Sequence, residues 1–178
     1  MLRSIFNSFC AFFFKSLFRT QVSCLGNRTL YVFDVDNTIA DTHPTLLQTY
    51  GSETERILSI PSFSRMRNLL IALLQSKSRK VIFMTSRSYL QWTVTHRWLM
   101  QQSISASLFE VIIVSSPAEK IQLLTDAALE RRIVYIDDLS WNHERGEVKF
   151  YETELEAVKK LPVRYIGYKT ILRFNSKA

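Results

Sequence analysis

From Thr29 onward, short apolar runs alternate with stretches of helical periodicity, and this alternation limits the chain to few folds. Leu30 to Asp34, Val81 to Thr85, Phe109 to Ser115, Ile133 to Asp137 and Val163 to Tyr168 read as strands. Ser62 to about Lys77 carries a stripe of Leu69, Leu70, Leu73 and Leu74 and reads as a helix, as does Tyr89 to Gln102. Ser116-Pro117-Ala118-Glu119 looks like a helix start, with Ser116 as N-cap, Pro117 in the first helical position and Glu119 closing a capping box. Thr153-Glu154-Leu155-Glu156 reads as a second capping box, before a short helix ending near Leu161. Asp41 to Pro61 is expected to be irregular, and Asn142 to Tyr151 to form a hairpin-like excursion. Runs that are apolar throughout suit strands buried on both faces. Strands alternating with helices predict an α/β fold with a mainly parallel, five-stranded sheet and right-handed crossovers. In such sheets ligands bind outside the carboxyl ends of the strands.

The residues at those ends are chemically loaded. Asp34-Val35-Asp36-Asn37-Thr38 follows the first strand, and an aspartate there can attack phosphorus while a second carboxylate moves protons. Two close carboxylates repel, which favours a bound cation. Thr85 closes the second strand, where its hydroxyl can bond a phosphate oxygen or cap the next helix. Asp137-Asp138 ends the fourth strand, a second acidic pair that is costly unless solvated or metal-bound. Lys120 falls in the first turn of a helix just after a strand, where its charge could neutralise phosphate.

Together these features resemble the haloacid dehalogenase (HAD) superfamily, in its phosphatase branch. Asp34 to Thr38 fits the signature DxDxT. Thr85, Lys120 and Asp137-Asp138 stand where the second, third and fourth motifs fall, in the family's order, and the likeness covers residues 29–170. The resemblance implies a Rossmann-like three-layer sandwich. It implies Asp34 as nucleophile and Asp36 as general acid/base, with Mg²⁺ held by Asp34, the Asp36 backbone carbonyl and Asp138. It implies that Thr85, Ser86 and Lys120 hold the phosphate, with Thr38, Asp137 and Asn142 in support. The second acid, Asp36, disfavours the dehalogenase branch. The alternative is a non-catalytic module that keeps the fold and binds phosphate.

Family members often carry a cap domain after the first motif or between the second and third. Here those gaps are 51 and 35 residues, too short for a full cap. A capless site implies a large phosphorylated substrate: a nucleic-acid end, a phosphoprotein or a lipid phosphate. Arg65, Arg67, Lys77, Arg79 and Lys80 could touch a phosphate backbone or simply be solvated.

Residues 1–28 stand apart from this domain, and 171–178 read as a tail. The net charge is +7, and residues 1–33 supply four basic side chains and no acid. Residues 2–19 read as an amphipathic helix with Leu2, Ile5, Phe6, Phe9, Phe13 and Leu17 on one side. Lys15 interrupts the run too early for a membrane span, which needs about 20 apolar residues. A peripheral membrane helix, a removable targeting peptide and a helix packed on the domain all fit. Cys10 and Cys24 fall in no CxxC or Cys/His cluster, so no zinc site or disulfide partner is expected. His43, His96 and His143 form no spaced metal cluster. A reducing, cytoplasmic location is expected, with membrane association and organelle targeting left open.

Overall fold

The computed structural model describes residues 2–129 and 131–176. In chain order the elements are α1 (Leu2–Ser23), β1 (Thr29–Phe33), α2 (His43–Leu46), α3 (Glu53–Ser59), α4 (Ser64–Leu74), β2 (Arg79–Thr85) and α5 (Trp92–Gln101). There follow β3 (Val111–Ile113), α6 (Pro117–Ala128), β4 (Ile133–Ile136), β5 (Ser140–Trp141), β6 (Lys149–Phe150), α7 (Glu152–Lys159), β7 (Arg164–Ile166) and α8 (Tyr168–Ser176). Five strands form one sheet in the order β3-β2-β1-β4-β7, every pair parallel. Helices flank it, so the fold is α/β and Rossmann-like. The chain moves outward from β1 to β3, then crosses back to β4 and β7. The order therefore reverses between β1 and β4, the place where open α/β sheets bind ligands.

The sheet is the core. Leu30, Val32, Phe33, Ile82, Phe83, Met84 and Tyr135 have no solvent exposure, because layers of side chains cover both faces. Trp98 is fully buried as well, and its indole N–H donates to the Ile60 carbonyl at 2.8 Å, which ties α5 to the end of α3. Among helices, α4 packs on β2 and α8, α5 on β3 and α3, and α6 on α7 and α1.

Several boundaries differ from the sequence reading. Asp41 to Pro61 is largely helical, forming α2 and α3. Ser52 accepts from the Glu55 amide, and the Glu55 carboxylate accepts from the Gly51 amide at 2.9 Å, a helix start hidden by its neighbouring Gly and Pro. These small helices are the only elements between β1 and α4, so no full cap is built there. Ser116 caps α6 as expected, but the Glu119 carboxylate turns to the Ser115 amide and hydroxyl, one residue earlier than a capping box requires. Thr153 lies inside α7, which opens at Glu152 with no side-chain cap from Tyr151. The excursion after β4 is a hairpin, β5 antiparallel to β6. Residues 171–176, read as a tail, complete α8 and seat Ile171 in the core.

The first helix also divides differently. Phe14 and Phe18 are buried, with Cys10, Phe13 and Leu17 packed beside them. Ile5, Phe6 and Phe9, expected on the same stripe as Phe13, are exposed.

Candidate active site

Parallel register builds the site. Phe33 pairs with Ile136, so the next residues, Asp34 and Asp137, leave adjacent strands side by side. The Asp34 amide donates to the Ile136 carbonyl at 2.8 Å, which holds the two strand ends level. Ser116 and Pro117 start α6 beside them, and its first turn delivers Lys120. The Lys120 ammonium donates to Asp34 Oδ1 at 2.5 Å and to Asp137 Oδ2 at 2.7 Å, and all three side chains are buried. Asp137 is held on every side. Tyr135, two residues back on the same face of the strand, donates to Oδ2 at 2.5 Å, and the Leu139 amide donates to Oδ1 at 2.7 Å.

Asp138 turns to the loop after β1. Thr38 donates to its Oδ1 at 3.4 Å, and the Asp138 amide donates back to Thr38 at 3.3 Å. Ser140 donates to Asp138 Oδ2, and the same hydroxyl meets His143 Nε2 at 2.7 Å. Both strand-end loops use left-handed backbone. Asn37, Leu139 and Asn142 have φ of 56°, 45° and 68°, in the left-handed region. Asparagine tolerates this geometry, whereas leucine does so at a cost. Leu139 is held there by its buried side chain, its bond to Asp137 and the Tyr151 amide that donates to its carbonyl.

Asp34, Asp137 and Asp138 place carboxylate oxygens within 4.8 Å of one another, a cluster that could hold a metal ion. Burial pushes the Asp34 carboxyl well above the usual carboxylate range. Lys120 opposes the rise, while Asp137, Asp138 and Asp36 add to it. Burial also raises Asp138, against the hydrogen bond from His143. Burial would lower Lys120, yet Asp137 and Asp34 outweigh it and hold the ammonium charged. With all three carboxyls ionised, one ammonium leaves negative charge uncompensated, which either a proton or a cation would relieve. An all-oxygen donor set of that charge suits a hard divalent cation such as Mg²⁺, Mn²⁺ or Ca²⁺.

Asp36 lies across the cleft and is not in this cluster. Arg87 grips it through two bonds, Nε to Oδ2 at 2.9 Å and Nη2 to Oδ1 at 2.7 Å, and Thr85 donates to Oδ2 at 3.3 Å. Burial pushes the Asp36 carboxyl up, but the charge and hydrogen bonds of Arg87, aided by Lys120 and Thr85, leave it below its ordinary range.

Asp34, Asp36, Thr85, Ser86, Lys120, Asp137 and Asp138 all line one cavity of about 150 Å³ at the carboxyl edge, with Asn37, Pro117, Leu139, Ser140 and Tyr151 completing its wall. Thr38 sits behind it, fully buried against Asp138. Asn142 does not enter the cavity: it donates to the Glu147 carbonyl at 2.9 Å and lines an adjoining groove with Arg56, Arg87, Trp141 and His143. The sequence assigns no role to Arg87, Tyr135 or Ser140. Tyr135 was traceable from its two-residue offset to Asp137. Arg87 pairs with a residue 51 positions away, and no spacing rule announces such a pair. No protein-family model matches the chain, and no curated protein matches it either.

Proposed function

We propose that the chain is a Mg²⁺-dependent phosphomonoester hydrolase of the HAD type, working through an aspartyl-phosphate on Asp34. The observation that carries this reading is Lys120 bridging Asp34 and Asp137 beside Asp138, at the point where strand order reverses. Asp34 is raised by burial, and a nucleophile must be ionised. Lys120 supplies one of the charges that oppose that rise and favour the ionised form. Asp34, Asp138 and the Asp36 backbone carbonyl would hold Mg²⁺, which supplies neutralising charge to the cluster and to phosphate oxygens. Asp137 has both oxygens engaged and serves to fix Lys120.

A cavity of about 150 Å³ suits a phosphoryl group, with the leaving group outside in the groove beside Trp141 and His143. Thr85, Ser86 and Lys120 would bond the phosphoryl oxygens. An Asp34 oxygen attacks phosphorus, and the ester oxygen departs with a proton from Asp36. Asp36 then takes a proton from water as that water attacks the phosphoryl-aspartate, releasing phosphate and restoring Asp34. For this, Asp36 must leave Arg87, whose charge holds its carboxyl below the ordinary range, take up a proton from solvent and turn to the ester oxygen. The Arg87 grip also favours a second reading, a non-catalytic phosphate-binding module in which Asp36 stays paired.

Phosphate release from p-nitrophenyl phosphate and a panel of phosphoesters, with Mg²⁺ and with EDTA, separates the two. The hydrolase reading expects Mg²⁺-dependent release that Asp34→Asn removes. Phosphate binding without turnover on any ester would favour the module.

A further inference from the structure

A helix packed on a domain needs one apolar stripe, and α1 has two. Cys10, Phe13, Phe14, Leu17 and Phe18 face the core. On the opposite side, Ile5, Phe9 and Phe12 recur at i, i+4 and i+7 and are 59%, 68% and 71% exposed. This second stripe serves no packing in the fold.

The direction of α1 gives the stripe a meaning. Phe14 stacks on Tyr89, just beyond the carboxyl end of β2, with ring centroids 5.7 Å apart. Nearer its other end, Arg19 pairs with Asp126, close to the end of α6. Since α6 starts at the carboxyl edge, α1 runs from that edge toward the amino edge. Residues 3–9, exposed all round, therefore extend past the carboxyl edge, the edge that holds the cavity. At 1.5 Å per residue, Arg3 stands about 16 Å beyond Phe14 along the helix. Two further exposed apolar side chains lie by the same contact: Leu90, next to Tyr89, and Phe109, whose ring is 6.3 Å from that of Trp92. The helix carries Arg3, Lys15 and Arg19 and no acid. Among the described residues, no helix is long and apolar enough to cross a membrane.

We propose that the outer stripe of α1 docks on an anionic bilayer surface, which brings the carboxyl edge and its cavity alongside the lipid. Exposed Phe residues with Arg3 and Lys15 on a helix that does not span suit the headgroup boundary, where aromatics enter the interface and cations meet anionic lipid. Taken with the phosphatase reading, on which this part rests, the substrate is a phosphomonoester carried on a lipid. The basic residues 65, 67, 77, 79 and 80 compete poorly as a nucleic-acid track. Arg65 and Arg67 open α4, whereas Lys77, Arg79 and Lys80 sit at the amino end of β2, where Lys80 pairs with Glu110.

The test is flotation of the full chain with phosphatidylcholine vesicles, with and without phosphatidylglycerol, for the wild type and an Ile5→Ser/Phe9→Ser/Phe12→Ser variant. The same proteins are assayed on p-nitrophenyl phosphate and on phosphatidate in vesicles. The wild type should float with anionic vesicles. Recovery should fall about tenfold or more on neutral vesicles and in the variant. The variant should keep its rate on the soluble ester and lose about tenfold on vesicle phosphatidate. Docking is overturned if the wild type ignores anionic vesicles, forms soluble oligomers instead, floats equally on neutral ones, or floats no better than the variant. The orientation of the cavity is overturned if a docked, pNPP-active wild type leaves phosphatidate untouched. Flotation with no hydrolysis of either ester would support docking and count against the phosphatase reading alone.

Discussion

The two walls of the cavity treat the same residue type in opposite ways. Asp34 and Asp36 leave one strand two positions apart, and both meet a cation. On the Lys120 wall, one ammonium serves Asp34 and Asp137 with Asp138 close by, and burial leaves Asp34 raised. On the Arg87 wall, one guanidinium serves one carboxylate that is 34% exposed, and Asp36 is lowered. The difference is charge balance. The Asp36–Arg87 pair is neutral and complete. The Lys120 wall is short of positive charge, and a divalent cation would complete it. Environments that push two carboxyls apart assign them different roles.

The sharpest way to break this comparison is to remove the charge that both buried carboxylates share. Lys120→Met leaves Asp34 and Asp137 without their common partner. The expected cost is about 3–5 kcal/mol of stability, measured by denaturant melts, with phosphoesterase activity lost as well. Arg87→Ala exposes a smaller imbalance. It should lower stability by roughly 1–3 kcal/mol and move the pH–rate limb owed to Asp36 upward, since only Lys120 and Thr85 then oppose burial. An unmoved limb would mean that Arg87 does not govern Asp36.

The third prediction concerns the cation itself. Asp34 and Asp138 are raised in the folded protein, so between their unfolded and folded values the folded state binds more protons than the unfolded one. Their contribution to stability is greatest below the unfolded carboxylate range and falls as pH rises through the folded values. Mg²⁺ held by the cluster would compete with those protons. The melting-temperature gain on adding Mg²⁺ over EDTA should therefore grow from about pH 5 to about pH 8. A gain independent of pH would place the ion elsewhere. Asp36, being lowered, acts with the opposite sign, losing its contribution as pH falls.

Much of the Lys120 wall could be read from the sequence, and little of the Arg87 wall. Asp34 and Asp137 end apolar runs, and parallel register makes them neighbours without further information. Lys120 follows from a helix start marked by Ser116 and Pro117. The grip of Arg87 on Asp36 depends on where the chain goes after β2, a tertiary fact with no local signal. Local signals also misled where two were present at once. Gly51 and Pro61 hid the Ser52–Glu55 helix start, and Thr153 imitated a cap inside α7. In α1, two apolar stripes blur into one period, so the sequence placed Ile5 and Phe9 on one stripe with Phe13 and Leu17.

The most direct test of the account is to mix the chain with a turned-over phosphoester and Mg²⁺, quench in acid, and measure intact mass with peptide mapping. The account predicts one added phosphoryl group, located on Asp34, absent with EDTA and absent in Asp34→Asn. Turnover with no trapped phosphoryl group, or with one on another residue, would contradict the assignment of Asp34 as nucleophile.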